Sequence, residues 1–361
     1  MTLLAPTTVA ERIVLAHGGG GELMQRLLRE HVLEPLSNDL LAPLTDAALV
    51  PWSANEVVLT TDSYVVTPVE FPGGDIGRLA VAGTVNDLAV MGARPVALSL
   101  ALILEEGLPL DTLDRVVASI AATAREAGVR IATGDTKVIE RRSAGETTDA
   151  REPEGGAPLT EPGLFINTAG IGAPRADARL GIERIRPADC ILVNGPIAEH
   201  GLAVLAQRNG VAFHTPLRSD AAPLYGLIAT MLDHAGEGVR FLRDATRGGV
   251  AGVLADIAEG AGCGVEIRER AIPVARAARH AAAMFGLDPL VIANEGKVVG
   301  VVAPEACDHV LAVLRDHPLG RGAACIGAVT AADPPLVELI TRCGGRRIVQ
   351  RPYGEELPRI C

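Results

Sequence analysis

Several runs in this chain have the residue types and spacing that chemistry needs. His17-Gly18-Gly19-Gly20-Gly21-Glu22 sets four consecutive glycines before a helical run. Such a run leaves backbone N–H groups open to an anion, or makes an N-terminal hinge. Asp46, Asp62, Asp87 and Asp135, in LTDAAL, LTTDSY, TVNDLAV and TGDTK, read as strand-end aspartates. A strand-end Asp is often a turn residue or an N-cap. Four of them near apolar strands can instead hold a divalent ion around a triphosphate, because Mg²⁺ takes a few carboxylates plus phosphate oxygens. No run reads GxxxxGK[ST], so a nucleotide site here is not a P-loop. Asp244-Ala245-Thr246-Arg247-Gly248-Gly249 is an Asp/Thr turn opening a helix, a second anion-capable N-terminus. In VNGPIAEHG (193–201), a strand-to-helix turn, His200 reads as a satisfied structural residue.

The last residues are Pro358-Arg359-Ile360-Cys361. A terminal Cys does not pack like a core residue. Pro358 biases Leu357 toward extended geometry, and a tail from Arg347 is long enough to bend back. Such an arm can carry a thiol into a site or present it to another protein. It is not a CaaX signal, which needs three residues after the Cys. The other five cysteines (190, 263, 307, 325 and 343) form no CxxC pair and read as small apolar residues. Of 33 basic residues only Lys137 and Lys297 are Lys, in GDTK and NEGK. A chain this partial to Arg keeps Lys where a compact, mobile ammonium serves better than a planar fork, or by chance.

The elements that must position these residues alternate short β-rich runs with Ala-rich helical ones. Strands are expected at 57–61, 64–67, 96–104, 130–133, 164–172, 190–194 and 239–242, with two more across NEGK between 292 and 303. Helices are expected at 77–91, 111–127, 202–208, 222–233, 248–259 and 310–315, with Asp111 as N-cap and Gly128 just past the second helix. The polar stretch 140–163 reads as a long loop. The pattern indicates an α/β or α+β architecture, in two domains or one large one.

With 48 % hydrophobic residues the chain can bury a sizeable core. Aromatics are 2 % and net charge is −11, which argues against a nucleic-acid surface. The apolar run 96–104 is far short of the roughly 18 residues of a membrane span. With no basic-then-apolar start, a cytoplasmic protein is expected.

LAHGGGG, TTDSYVVTP, GGDIGRLAVAGTVNDLAVMGARP, TGDTKV, FINTAGIG, VNGPIAEHG, DATRGG, NEGK and the terminal PRIC together resemble the HypE family of hydrogenase maturation factors. That family is a branch of the aminoimidazole ribonucleotide synthetase superfamily. The resemblance covers nearly the whole chain, and PRIC separates this branch from its relatives. It departs in reading GGGG where Ser commonly interrupts the glycines, and in an insertion over Ser143–Pro158. It implies a two-domain α/β (α+β) fold with a flexible C-terminal tail. The implied parts are a Gly-rich segment (1–40), an ATP-binding and dimerisation domain (41–175), a C-terminal α/β domain (176–346) and a mobile tail (347–361).

The resemblance also implies a reaction. The carbamoyltransferase HypF loads a carbamoyl group on the terminal Cys. ATP with Mg²⁺ then drives dehydration of the S-carboxamide to a thiocyanate. The cyanide passes to iron on a HypC–HypD complex for a nickel–iron hydrogenase. The enzyme is a homodimer. By carry-over, Cys361 is the covalent carrier, and Asp46, Asp62, Asp87 and Asp135 hold metal and phosphate. Gly18, Gly19, Gly20, Gly21 and Thr246 line the phosphates. Lys137 faces the phosphates or the carbamoyl oxygen. Glu295 is the base near the thiol, or else a strand-end turn carboxylate. The competing readings are a selenophosphate synthetase or thiamine monophosphate kinase, against which the terminal Cys speaks, and a non-enzymatic thiol carrier. ATP hydrolysis dependent on carbamoylated Cys361 separates the carrier from the enzyme.

Overall fold

The computed structural model describes residues 12–14, 17, 26–41, 52, 56–141, 163–211, 213, 217–332 and 334–351. Gly18, Gly19, Gly20, Gly21, Asp46, the Ser143–Pro158 insertion and Cys361 lie outside the described residues.

The first half is built on strands β1 (Val58–Tyr64), β4 (Ala93–Glu105), β5 (Arg130–Ile139) and β6 (Leu164–Pro174), in the order β1-β6-β4-β5. The short pair β2 (Glu70–Phe71) and β3 (Gly74–Asp75) leads into helix α1 (Ile76–Val90). Asp75 caps α1 by accepting the Arg78 N–H at 2.9 Å. Helix α2 (Leu110–Ala127) presents Leu113, Val116, Val117 and Ile120 to the same core. It ends at Gly128, whose φ of 68° is the left-handed turn expected there. It begins one residue before the expected Asp111 cap. Pro109 takes the cap position in extended geometry, and Asp111 lies in the first turn, bonded to Arg115 at 3.1 Å.

The second half is a seven-stranded sheet. Its strands are β7 (Cys190–Val193), β8 (Val239–Asp244), β9 (Gly264–Arg268), β10 (Val298–Val302), β11 (Ala324–Thr330), β12 (Val337–Ile340) and β13 (Arg346–Ile348). They lie in the order β13-β12-β9-β11-β7-β10-β8. Five helices pack around it: α3 (Glu199–Arg208), α4 (Tyr225–Ala235), α5 (Gly249–Ala261), α6 (Arg276–Phe285) and α7 (Pro304–Asp316). β13 carries the sheet through Ile348, and Val349 is buried, so the expected start of the tail at 347 falls inside ordered structure.

Four other differences from the sequence reading have physical causes. The strand expected at 57–61 runs on to Tyr64, because Thr61, Asp62 and Ser63 keep their pairing with Ala169, Thr168 and Asn167, and the second strand expected at 64–67 does not form beyond Tyr64. The strand expected to stop at Thr133 runs to Ile139, paired with β4 throughout. Of the two strands expected across NEGK only the later one forms, from Val298; the NEGK backbone groups bond instead to side chains and to the DATRGG turn. The helix expected from Ala222 starts at Tyr225. Pro223 disfavours helical geometry at Ala222, and the Leu224 N–H goes to Asn86 instead.

α1 is buried on almost every side, as befits a helix lying between the two halves. The Asn86 side chain donates to the Ala222 carbonyl at 3.1 Å and accepts from the Leu224 N–H at 2.7 Å. Among the described residues no helix is long and apolar enough to cross a membrane.

Candidate functional site

The motif turns of the second half converge on one end of α1. The Asn194 amide donates to the Gly296 and Leu319 carbonyls and accepts from the Val298 N–H at 2.9 Å. The Asn294 side chain donates to the Ala245 carbonyl at 2.9 Å and accepts from the Ala198 N–H at 2.7 Å. VNGPIAEHG, DATRGG and NEGK are thereby tied into one body. The DATRGG turn needs its glycines: Gly248 and Gly249 have φ of 77° and 58°, and a Cβ on Gly249 would lie 2.5 Å from the Leu290 carbonyl oxygen. Thr246 closes this turn, its carbonyl accepting the Gly249 N–H at 3.0 Å.

Carboxylates from three elements and the NEGK turn gather here. Asp87 was expected at a strand end but lies in helix α1, and Asp62 lies within β1. Asp244 ends β8, and Glu295 comes from NEGK. Thr60 donates its hydroxyl to Asp87 Oδ2 at 2.7 Å. Burial raises the Asp87 pKa, and the Asp62 charge adds to this, while Thr60, Arg243 and Arg247 oppose it. Asp244 is pushed up to about 7 by burial and then by Asp87 and Asp62. Glu295, 3 % exposed, is pushed well above the carboxylate range by burial and then by Asp244, Asp220, Asp62 and Asp87. Its Oε1 is buried with no hydrogen-bond partner. Burial, Asp62 and Glu295 also raise the Tyr64 phenol.

A buried ion pair underlies Glu295. Lys297 Nζ donates to Asp220 Oδ2 at 2.8 Å, and the Glu295 N–H donates to Asp220 Oδ1 at 3.1 Å. Burial opposes ionisation of Asp220, but Lys297 and His200 hold its pKa below the ordinary value. His200 is itself fully buried and bonded to the Ser219 hydroxyl at 2.8 Å, with its ring edge-on to Phe71, as a structural residue would be.

Asp135 and Lys137 lie elsewhere. Asp135 is mid-strand in β5, not at a strand end, and Lys137 Nζ sits 2.7 Å from its Oδ2. That bond, against a small cost of burial, holds the Asp135 pKa down. Asp62 shares the helix-covered face of the sheet with Thr168, whereas Asp135 and Lys137 sit in register with Ala101 and Ile103 on the open face. Asp62 and Asp135 are thus on opposite faces, three strand spacings or roughly 14 Å apart. Within one chain the structure gathers Asp62, Asp87 and Glu295 and leaves Asp135 and Lys137 apart.

Asp244 and Asp220 join the site as carboxylates: Asp244 was read only as part of an anion-capable turn, and Asp220 was not singled out in the sequence. Asp244 carried a usable signal, a strand-end carboxylate just before a Gly-Gly helix start. Asp220, in RSDAAP, carried none. The acidic groups fit cations that also bind phosphate oxygens. They form no closed cage: among the described residues the one group of three or more ligand atoms within 4.8 Å of one another is made of cysteines. The unpartnered Glu295 oxygen and the mutually repelling carboxylates are what incoming positive charge would relieve.

Comparison with known proteins agrees with this layout. Residues 44–150 match the AIR synthase related protein N-terminal domain, and residues 186–338 match its C-terminal domain. Carbamoyl dehydratase HypE of Rhizobium leguminosarum bv. viciae is 45 % identical over 350 residues, covering 97 % of this chain and 95 % of that protein. A crystal structure of hydrogenase maturation protein HypE in complex with ATP superposes with a TM-score of 0.87 at 41 % identity, covering 96 % of this chain and 99 % of that one. A HypE–HypF complex structure superposes with a TM-score of 0.74 at 41 % identity, covering 92 % and 100 %. By identity over nearly its full length, the chain belongs to the HypE family of carbamoyl dehydratases, within the AIR synthase related proteins.

Proposed function

We propose that the chain dehydrates an S-carboxamide carried on its own Cys361, using ATP. The thiol-bound C(=O)NH₂ group and ATP become a thiol-bound C≡N group, ADP and phosphate. An amide oxygen leaves poorly; once phosphorylated it leaves as phosphate, and two N–H protons are lost. Mg²⁺, when bound, neutralises charge on the phosphate oxygens. Asp62, Asp87 and Asp244 would hold it. Thr246 and the α5 N-terminus behind Gly248 face anionic oxygen. Glu295 accepts a proton from the nitrogen, and Asp220 with Lys297 fixes its backbone.

One observation carries this reading. A fully buried carboxylate with a free oxygen stands where three other acids and an anion-capable helix start meet, in a chain 45 % identical to a carbamoyl dehydratase. That identity favours the dehydratase over the kinase, synthetase and carrier readings.

The working unit we propose is a homodimer. The open face of the first sheet exposes Leu59 (68 %), Ile103 (37 %) and Ile139 (39 %) on strands whose other face is covered by α1 and α2. A second copy covering that face brings Lys137 and Asp135 toward the neighbour's carboxylates. Residues 41–175 would form the ATP-binding and dimerisation unit, residues 176–349 the second domain, and the chain beyond them the carrier arm. A HypF-type carbamoyltransferase supplies the carbamoyl group, and a HypC–HypD type complex takes the cyanide, in the cytoplasm.

The test is intact mass of the full chain after incubation with the carbamoyltransferase, carbamoyl phosphate and ATP. The expected sequence is gain of a carboxamide, then loss of one water only with ATP. Loss of no water, or ATP hydrolysis indifferent to Cys361→Ala, overturns the reading.

A further inference from the structure

Away from the acidic site, Cys190 at the start of β7, Cys307 in α7 and Cys325 in β11 point their sulfurs at one spot. All three Sγ atoms lie within 4.8 Å of one another, and all three thiols are free. They come from distant parts of the sequence. A shift in register between Cys325 and Gly327 marks the place where β11 meets β7. We infer that this triad is a zinc(II) site with three thiolate ligands and one position open to water.

Scattered core cysteines act as small apolar residues and need no mutual contact. Here each sulfur touches the same small volume. Cys307 is buried, while Cys190 and Cys325 are only half-buried, so an ion can reach them. Zinc–sulfur bonds of about 2.3 Å in tetrahedral geometry set sulfurs about 3.8 Å apart, a small rotation from the arrangement present. Among the described residues no fourth ligating side chain joins the group. The neighbouring Asp189 is committed elsewhere, its Oδ2 accepting the Arg186 N–H at 2.8 Å and its Oδ1 lying 4.0 Å from Arg240. Zinc displaces the protons: Zn²⁺, three thiols and one water give a singly negative tris-thiolate aqua complex and three H⁺. Copper(I) with three thiolates would carry two negative charges, a worse fit to apolar surroundings. The bound ion would tie β7, β11 and α7 together, on the far side of β10 from Asp244 and β8.

The experiment uses the full chain with Cys263, Cys343 and Cys361 replaced by Ser, stripped with chelator under reducing conditions. It is titrated with Zn²⁺ or Cu⁺ against a chromophoric competitor. We expect one zinc retained through gel filtration, three protons released per zinc, and a higher melting temperature in zinc. Cys190→Ser and Cys325→Ser, at half-buried positions that tolerate the change, should each lower affinity by more than about 10–100-fold, the loss expected even for an outer-shell partner. Circular dichroism checks that both variants fold. No retained zinc, zinc that survives both substitutions, retention of copper(I) only, or a disulfide within the reduced triad overturns the assignment.

Discussion

Glu295 poses a question of proton occupancy. Burial and its acidic neighbours raise its pKa, which favours the protonated carboxyl, whereas a base must be without a proton. Cations brought to Asp62, Asp87 and Asp244 remove the repulsion and free the carboxylate, so its basicity is coupled to loading of the site. Glu295→Gln should therefore bind ATP and accept the carbamoyl group, yet lose water about 10²–10⁴-fold more slowly in single turnover. Wild-type loss of water in that variant would reduce Glu295 to a structural turn. Asp244 gives the matching pH test. Its folded pKa of about 7 exceeds its unfolded value of 3.8, so the folded state holds the proton more tightly. Its contribution to stability is complete below pH 4 and is lost as pH rises through 7. Denaturant melts of the metal-free protein should show this decline, on the order of a few kcal/mol. Asp244→Asn should flatten it while weakening Mg·ATP binding; an unchanged pH profile would show that Asp87 and Glu295 set the decline instead. The sequence displayed Asp62, Asp87 and Glu295 as chemistry, because each sits in a motif. It hid Asp220, whose role comes from a lysine distant in sequence.

At the scale of elements, α1 is held against β1 by a close approach. The Tyr64 hydroxyl lies where a Cβ on Gly83 would go. Gly83→Ala drives a methyl into it and should cost about 1–3 kcal/mol, as overpacking does. Tyr64→Phe removes the obstructing atom, so the double variant should recover much of that loss in urea melts. Simple additivity of the two changes would show that they do not meet. Periodicity made α1, α2 and most strands legible, since both signals are local. It misplaced the borders wherever a distant group takes a backbone bond, as Asn86 does at Leu224 and Asp220 at Glu295. The helix expected over 77–91 already contained Asp87, so the separate reading of that residue as a strand-end aspartate overlooked the periodicity around it.

At the scale of the whole molecule, the open sheet face decides whether one chain suffices. Leu59→Glu with Ile103→Glu should yield a folded monomer by sedimentation, with dehydration lost and helix content kept; a dimer that persists would place the interface elsewhere. Nothing in the linear sequence separates the two faces of β5 from those of β1, because that depends on strand order. The consequence is genetic as much as structural. If each reaction centre draws Asp62 from one subunit and Lys137 from its neighbour, Asp62→Asn and Lys137→Ala are both dead as pure proteins. Mixed and allowed to exchange subunits, half of the dimers become hybrids, each with one centre rebuilt from two intact halves and one doubly defective. Two inactive preparations would then complement each other to roughly a quarter of normal activity. Alleles of this protein would behave as rescuing pairs when their lesions fall on opposite faces of one sheet, and never when they fall on the same face.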